Sequence, residues 1–399
     1  MELVLWCAAF SVVVLPAIPT LVYAVECLAG SLPQRRSKVG LKGAGTPRLA
    51  VAVLVPAHDE ERGIGETLRS IRTQLRDGDQ LLVVADNCSD ATAAIARAAG
   101  AQVLERTDSV NRGKGYALDF GLKHLASRPC PIVVCVDADC TLVEGSLDEL
   151  AQLAAATGRP VQSCNLMTAS GPGQINQDIA EFAFRVKNLV RPRGLSRLGL
   201  PCLLTGTGMA LPWELVNAIR LDHGELAEDM KLGMDLAAAG HAPLYCETAG
   251  VRSIFPETIA GAISQRSRWE YGHLAMIVAT LPNLISPRVL GSRDRLAMTL
   301  DILVPPLTLL AFAHFAALVT GLLAIGAGLG SAPLVAAIMS AGILTVSTTF
   351  AWIAHGRDIL PIRSLQGIPR YILGKAWIYP RALFGQLEHA WVRTDRSAR

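Results

Sequence analysis

Pro131-Ile132-Val133-Val134-Cys135-Val136-Asp137-Ala138-Asp139 is the stretch that decides how this chain folds. Its first six residues carry no charge, which predicts a strand buried on both faces, and two carboxylates close it. In an open α/β sheet the carboxyl ends of the strands are where ligands bind. Closely spaced carboxylates at that edge can hold a hard divalent cation through oxygen, and such a cation commonly partners a diphosphate. An Asp-x-Asp can also simply cap a turn or a helix, so its meaning depends on its surroundings.

Around that stretch the pattern alternates between strand and helix. Residues 49–55 form a β-branched run, 63–75 are amphipathic, 80–85 are apolar again and 89–99 are Ala-rich. A short third strand is predicted over 101–104, a helix over 115–125 and the fourth strand over 131–136. Such alternation implies a parallel sheet with helices on both faces. The first strand ends in Pro56-Ala57-His58-Asp59-Glu60-Glu61, the second in Asp86-Asn87-Cys88-Ser89-Asp90, and the fourth in the acid pair. Helix capping accounts for Ser89 and Asp90, but three polar strand ends together line one edge of a sheet. No Gly-x-Gly-x-x-Gly follows the first strand and no P-loop signature occurs, so a nucleotide bound here is held by side chains and metal.

Over the 399 residues, 51% are hydrophobic and 18% charged. The apolar excess is localised. Residues 3–28 carry one charge, Glu26, and residues 302–328 and 333–354 carry none. Each run exceeds the ~20 residues that cross ~30 Å of hydrocarbon. The first has neither a basic leader nor a clear cleavage site, which predicts an uncleaved anchor. Arg35, Arg36, Lys38, Lys42 and Arg48 follow the first run, Arg288, Arg293 and Arg295 precede the second, and Arg357, Arg363 and Arg370 follow the third. All three basic clusters belong on the cytoplasmic face. The expected organisation is an anchor over 1–29, a cytosolic domain over 47–290, a transmembrane hairpin over 301–355 and an interfacial amphipathic helix over 365–392, in the plasma or inner membrane. The net charge of +3 is too small to argue for nucleic acid, and the basic residues point to anionic lipid. Nine cysteines without paired spacing read as reduced thiols and not as a zinc site.

Residues 49–275 resemble the inverting family-two glycosyltransferases of GT-A (Rossmann-like) fold. The resemblance is to their membrane-integrated branch, which includes synthases of cellulose, chitin, hyaluronan and poly-N-acetylglucosamine and ceramide glucosyltransferase. It implies that Pro56, Ala57 and Glu60 sit against uridine and that Asp86 contacts uracil, although Ala85 and Asn87 depart from the family's Asp-Asp-Gly-Ser. Asn111-Arg112-Gly113-Lys114-Gly115 is similar to its Gly-Lys turn, which puts Lys114 by the nucleotide. Asp139 corresponds to the ligand of Mg²⁺ or Mn²⁺, with Asp137 nearer the ribose and diphosphate. Thr205-Gly206-Thr207-Gly208-Met209 resembles the acceptor segment, implicating Gly206, Thr207 and Gly208. Glu228-Asp229 resembles the pair that supplies the catalytic base, and Asp229 is the expected base with Glu228 beside it. Gln265-Arg266-Ser267-Arg268-Trp269 resembles the Gln-x-x-Arg-Trp signature, in which Gln265 and Arg268 face the diphosphate and Trp269 the acceptor.

The resemblance implies single displacement from a UDP-sugar to a lipid-linked or saccharide acceptor, in cell-envelope or exopolysaccharide synthesis. Polysaccharide-assembly proteins are possible partners. A processive polysaccharide synthase is the alternative, but three clear spans are few to enclose a channel. Among other classes, a transporter would place ionisable groups within the spans, and a nucleotide-binding oxidoreductase would show the missing glycine fingerprint. A membrane-tethered nucleotide-binding protein without catalysis would keep the fold and turn over no donor.

Overall fold

The computed structural model describes residues 2–33, 48–171, 174–216, 221 and 227–375. Its sheet has eight strands: β1 (Val51–Ala57), β2 (Gln80–Asp86), β3 (Gln102–Arg106), β4 (Ile132–Cys135), β5 (Thr141–Leu142), β6 (Val161–Thr168), β7 (Met209–Pro212) and β8 (Leu244–Ile254). They lie in the order β3-β2-β1-β4-β7-β6-β8-β5. The four strands expected from the sequence run parallel, with β1 between β2 and β4. Beyond β4 the sheet becomes mixed: β7 is antiparallel to both β4 and β6, and β5 is antiparallel to β8. The parallel arrangement expected of the first four strands holds; the mixed part beyond β4 lies outside that expectation, and β7 and β5, of four and two residues, are too short to show a period in sequence.

Alternation along β1 explains why its sequence is apolar throughout. Val51, Val53 and Val55 pack under the helices Ile64–Arg72 and Ser146–Thr157, through Ile64, Leu68, Leu147 and Leu150. Ala52 and Leu54 face the opposite way, against Leu118 and Leu122 of the helix Lys114–Leu125 and Leu232 and Leu236 of the helix Glu228–Ala238. A parallel strand covered on both faces has no polar side to show. Arg48, expected among the membrane-flanking basic residues, is instead buried and pairs with Asp79 at 2.5 Å and Asp148 at 2.6 Å. Its charge serves the start of β1. Arg35, Arg36, Lys38 and Lys42 lie outside the described residues.

The described residues group into two compact units, one drawn from 48–170 and 200–272 and the other from 2–32, 171–199 and 273–375. The sheet belongs to the first. The second contains three helices long and apolar enough to cross a membrane: Val4–Ser31, Leu307–Gly326 and Ala332–His355. The first of these is interrupted at Leu15 and Pro16, where proline cannot donate to the preceding turn. His314 approaches Thr20 Oγ1 at 3.3 Å and Ser340 Oγ at 2.9 Å, so one imidazole stitches all three apolar helices together. Residues 171–199, expected within the cytosolic domain, pack in this second unit as the helices Ile175–Arg185 and Arg191–Arg197 joined by a π-helical turn. The segment expected as an interfacial helix is described only to Lys375, as a 3₁₀ turn Ile362–Gly367 and the helix Ile368–Lys375. Trp377, Tyr379, Arg381, Phe384 and Trp391 lie outside the described residues.

Candidate active site

The ends of β1 and β2 grip each other through their turns. Asp59 and Asn87 both adopt left-handed backbone, at φ 51° and 52°, a conformation that short polar side chains tolerate best after glycine. Asp59 Oδ1 accepts the Ser89 N–H at 2.6 Å, Thr92 Oγ1 accepts the Glu60 N–H at 2.7 Å, and Asp90 Oδ2 accepts the Glu61 N–H at 3.1 Å. Glu60 is thereby fixed by its backbone at the head of this edge. Pro56 is half-buried and Ala57 buried at the last residues of β1.

Asp86 closes β2, and its register partner on β3 is Arg106. Arg106 Nη1 donates to Asp86 Oδ1 at 2.6 Å, and Nη2 donates to Asp108 at 3.0 Å and to the Asn111 carbonyl at 2.7 Å. Sequence reasoning ended the third strand at Leu104 and so missed Arg106. The signal was the next two residues, Glu105-Arg106, which put a polar group at the one strand end that had none.

The centre of the arrangement is Lys114, the first residue of its helix, delivered by Gly113 at φ 135°. A lysine at a helix N-terminus is disfavoured by the macrodipole, so its surroundings have to hold it. Lys114 forms an ion pair with Asp137 and donates to the Gly206 carbonyl at 2.7 Å. Burial works against its charge, but Asp137, Glu228 and Asp229 outweigh that and raise its pKa. At Gly206, φ 85°, a Cβ would lie 3.2 Å from both Asp229 Oδ2 and Lys114 Nζ. Residues far apart in sequence therefore converge on one point. Asp229 Oδ1 accepts the Met230 N–H at 2.7 Å, which orients the carboxylate within the first turn of its helix. The helix begins at Glu228, with Asp229 in its first turn.

Thr207 and Gly208 act inside the fold. Thr207 is 3% exposed and its Oγ1 accepts the backbone N–H of Asp137 at 3.1 Å, so it pins the start of the acid pair. Gly208 has φ 64°, and a Cβ there would run into the Ser163 side chain. Gly206 is the member of this segment that lies beside Lys114 and Asp229.

Asp137, Asp139 and Cys140 each offer a donor atom, all within 4.8 Å of one another. Burial, then the charges of Asp139 and Asp137, push the Cys140 thiol well above its ordinary range. The two carboxylates of this set supply oxygen ligands, which suit a hard cation such as Mg²⁺ or Mn²⁺. Asp137 is already engaged by Lys114, which leaves Asp139 as the better placed of the two. Gln265, Arg268 and Trp269 occupy positions i, i+3 and i+4 of the helix Ile259–Thr280 and so share one of its faces, with Gln265 buried and the other two half-buried.

Comparison with known proteins bears on this geometry. Over 133 residues the chain is 31% identical to a 4,4'-diaponeurosporenoate glycosyltransferase of Staphylococcus aureus, a match covering 32% of this chain and 34% of that protein. The chain thus spans about a third of the length of the curated relatives it matches. A mannosyltransferase from Pyrobaculum calidifontis, solved with GDP-Man and Mn²⁺, superposes with a TM-score of 0.58 at 18% identity, covering 97% of this chain and 100% of that one. That likeness speaks for the fold. The family model described as "Glycosyltransferase like family 2" matches residues 47–272, more than half of the chain and the whole of the strand-edge site, and the chain belongs to that family.

Proposed function

We propose that the protein is an inverting glycosyltransferase that moves a sugar from a UDP-sugar to a lipid-linked or saccharide acceptor. The observation that carries this reading is the meeting of Lys114, Asp137 and Asp229 around Gly206, next to the carboxylate of Asp139. Asp139, with Asp137 behind it, would hold Mg²⁺ or Mn²⁺, whose charge offsets that of a leaving diphosphate. The mannosyltransferase of like fold was solved with Mn²⁺. Pro56, Ala57, Glu60 and Asp86 hold the uridine, and Lys114, Gln265 and Arg268 the diphosphate. Gly206 and Trp269 border the acceptor.

In the chemical step the acceptor hydroxyl oxygen forms a bond to the anomeric carbon while the bond from that carbon to the diphosphate oxygen breaks. The hydroxyl proton goes to Asp229, acting as general base, and the electron pair of the broken bond leaves on the diphosphate. Lys114 and Arg268 stabilise the charge that develops there. One displacement inverts the configuration, and no covalent enzyme intermediate is required.

A discrete acceptor is favoured over a growing polymer, since a relative is named for diaponeurosporenoate and the three apolar helices among the described residues are few to line a channel. The chain is a multi-pass protein of the plasma or inner membrane with its catalytic domain in the cytoplasm, as the basic residues flanking the spans favour. Membranes carrying the protein, incubated with a panel of radiolabelled UDP-sugars, test the proposal. Label passing into the organic phase is expected. Label in insoluble or size-excluded material would point to a polysaccharide synthase, and label released only as free sugar would overturn both.

A further inference from the structure

We propose that Arg106 is a positioning residue for nucleobase selection, fixing Asp86 so that the pair reads a lactam edge, an N–H beside a C=O. The inference rests on the nucleotide-sugar reading of this site. Asp86 and Arg106 are register partners at the ends of adjacent parallel strands, so their side chains leave the same face of the sheet at the edge where ligands bind. Both are nearly enclosed, with side-chain exposures of 8% and 10%, and they meet at 2.6 Å. Arg106 is itself held from three further directions: Asp108 Oδ2 at 3.0 Å, the Asn111 carbonyl at 2.7 Å, and the Tyr116 ring, whose centroid lies 5.6 Å from the guanidinium carbon.

Asn87 completes the frame. Its Nδ2 donates to Asp86 Oδ1 at 3.1 Å, its Oδ1 accepts the Asp108 N–H at 2.8 Å, and its own N–H goes to the Arg106 carbonyl at 2.7 Å. Both side-chain donors, Arg106 Nη1 and Asn87 Nδ2, reach Asp86 through Oδ1. The carboxylate is thus locked by one oxygen and presents the other, an acceptor flanked by a guanidinium donor. Uracil and guanine offer the matching pattern, a ring N–H next to a carbonyl oxygen. Cytosine and adenine offer the reverse, an amino donor next to a bare ring nitrogen. Leaving a buried carboxylate facing an acceptor is costly, and that cost is the basis of the selection.

Calorimetric binding of UDP and CDP, and of GDP and ADP, to the full chain in detergent with Mn²⁺ tests this. The wild type is expected to bind the lactam member of at least one pair ten-fold or more tightly. Arg106→Ala should bring that ratio close to one by weakening the lactam nucleotide, and Arg106→Lys should restore part of it. Asp86→Asn should do as Arg106→Ala does, and adding Arg106→Ala to it should change the ratio no further. Arg97→Ala, which removes the exposed pair with Glu105, should leave the ratio intact. If Arg106→Ala weakened both members of a pair equally, or kept the ratio, Arg106 would be only a structural residue and the inference would fall. If Arg106→Ala does not fold, the ratio in Asp86→Asn and Arg106→Lys decides in the same way. Wild-type protein that bound no nucleoside diphosphate would overturn the nucleotide-sugar reading itself, and this inference with it.

Discussion

Glu228 and Asp229 are adjacent in sequence but answer to different surroundings. Burial, and then the neighbouring charge of Asp229, push the Glu228 carboxyl up to about 7, against the pull of Lys114. Between its ordinary 4.5 and about 7 the folded protein keeps a proton that the unfolded chain has released. Stability therefore falls as pH rises through that window, and the loss is complete above about 7. Thermal unfolding with chelator present should show the melting temperature of wild type declining relative to Glu228→Gln from pH 5 to 7.5, and parallel curves would remove this assignment. For Asp229, replacement by Asn keeps size and hydrogen bonding but removes the proton acceptor. UDP affinity should survive while turnover drops by ~10²–10⁴; retained turnover would move the role to Glu228. Asp139→Ala should abolish Mn²⁺ binding measured by calorimetry with the fold intact, and an unchanged isotherm would exclude it as a ligand. Asp137 and Asp139 could be placed at a strand end because strand and turn signals are local, whereas Glu228 and Asp229 stood out only through their likeness to the family's pair. What Thr207 and Arg106 do was not legible, because it depends on partners 70 and 20 residues away.

At the scale of elements, the same contrast governs the helices of the second unit. Glu26 is the lone charge of the first apolar run, and sequence alone treats it as a residue at the edge of a span. Its partner is Arg191, 165 residues on, whose Nε lies 2.5 Å from Glu26 Oε2 and whose Nη2 meets both the carboxylate and, at 3.0 Å, the carbonyl of Asp301. Three elements are pinned by one guanidinium. The helices Ala17–Ser31 and Arg191–Arg197 approach closely enough that a Cβ on Gly194 would run into the Glu26 carbonyl. Arg191→Met would leave two buried carboxylates facing each other, which should cost ~3–5 kcal/mol. Thermal unfolding in detergent measures it, and a loss under ~1 kcal/mol would mean that the clamp is idle. Residues 171–199 escaped assignment to this unit because their four arginines and Lys187 mask an apolar face that only packing reveals. Likewise β7 is visible only through its pairing with β4 and β6, whereas β1, apolar throughout, and β2, apolar between Gln80 and Asp86, needed no context.

In the whole molecule a family-two glycosyltransferase domain shares one chain with helices apolar enough to cross a membrane, and the lipid-borne acceptor proposed above suits that pairing. Reconstituted in sealed vesicles with donor supplied outside, the protein should produce short, lipid-extractable product; long glycan on the far side would promote the polysaccharide synthase. In the proposed reaction one displacement, with Asp229 as base, transfers the sugar. Nuclear magnetic resonance of the product linkage formed by the full chain with Mn²⁺ and its UDP-sugar tests it most directly. An anomeric configuration opposite to that of the donor is expected, and a product that keeps the donor's configuration would rule out a single displacement.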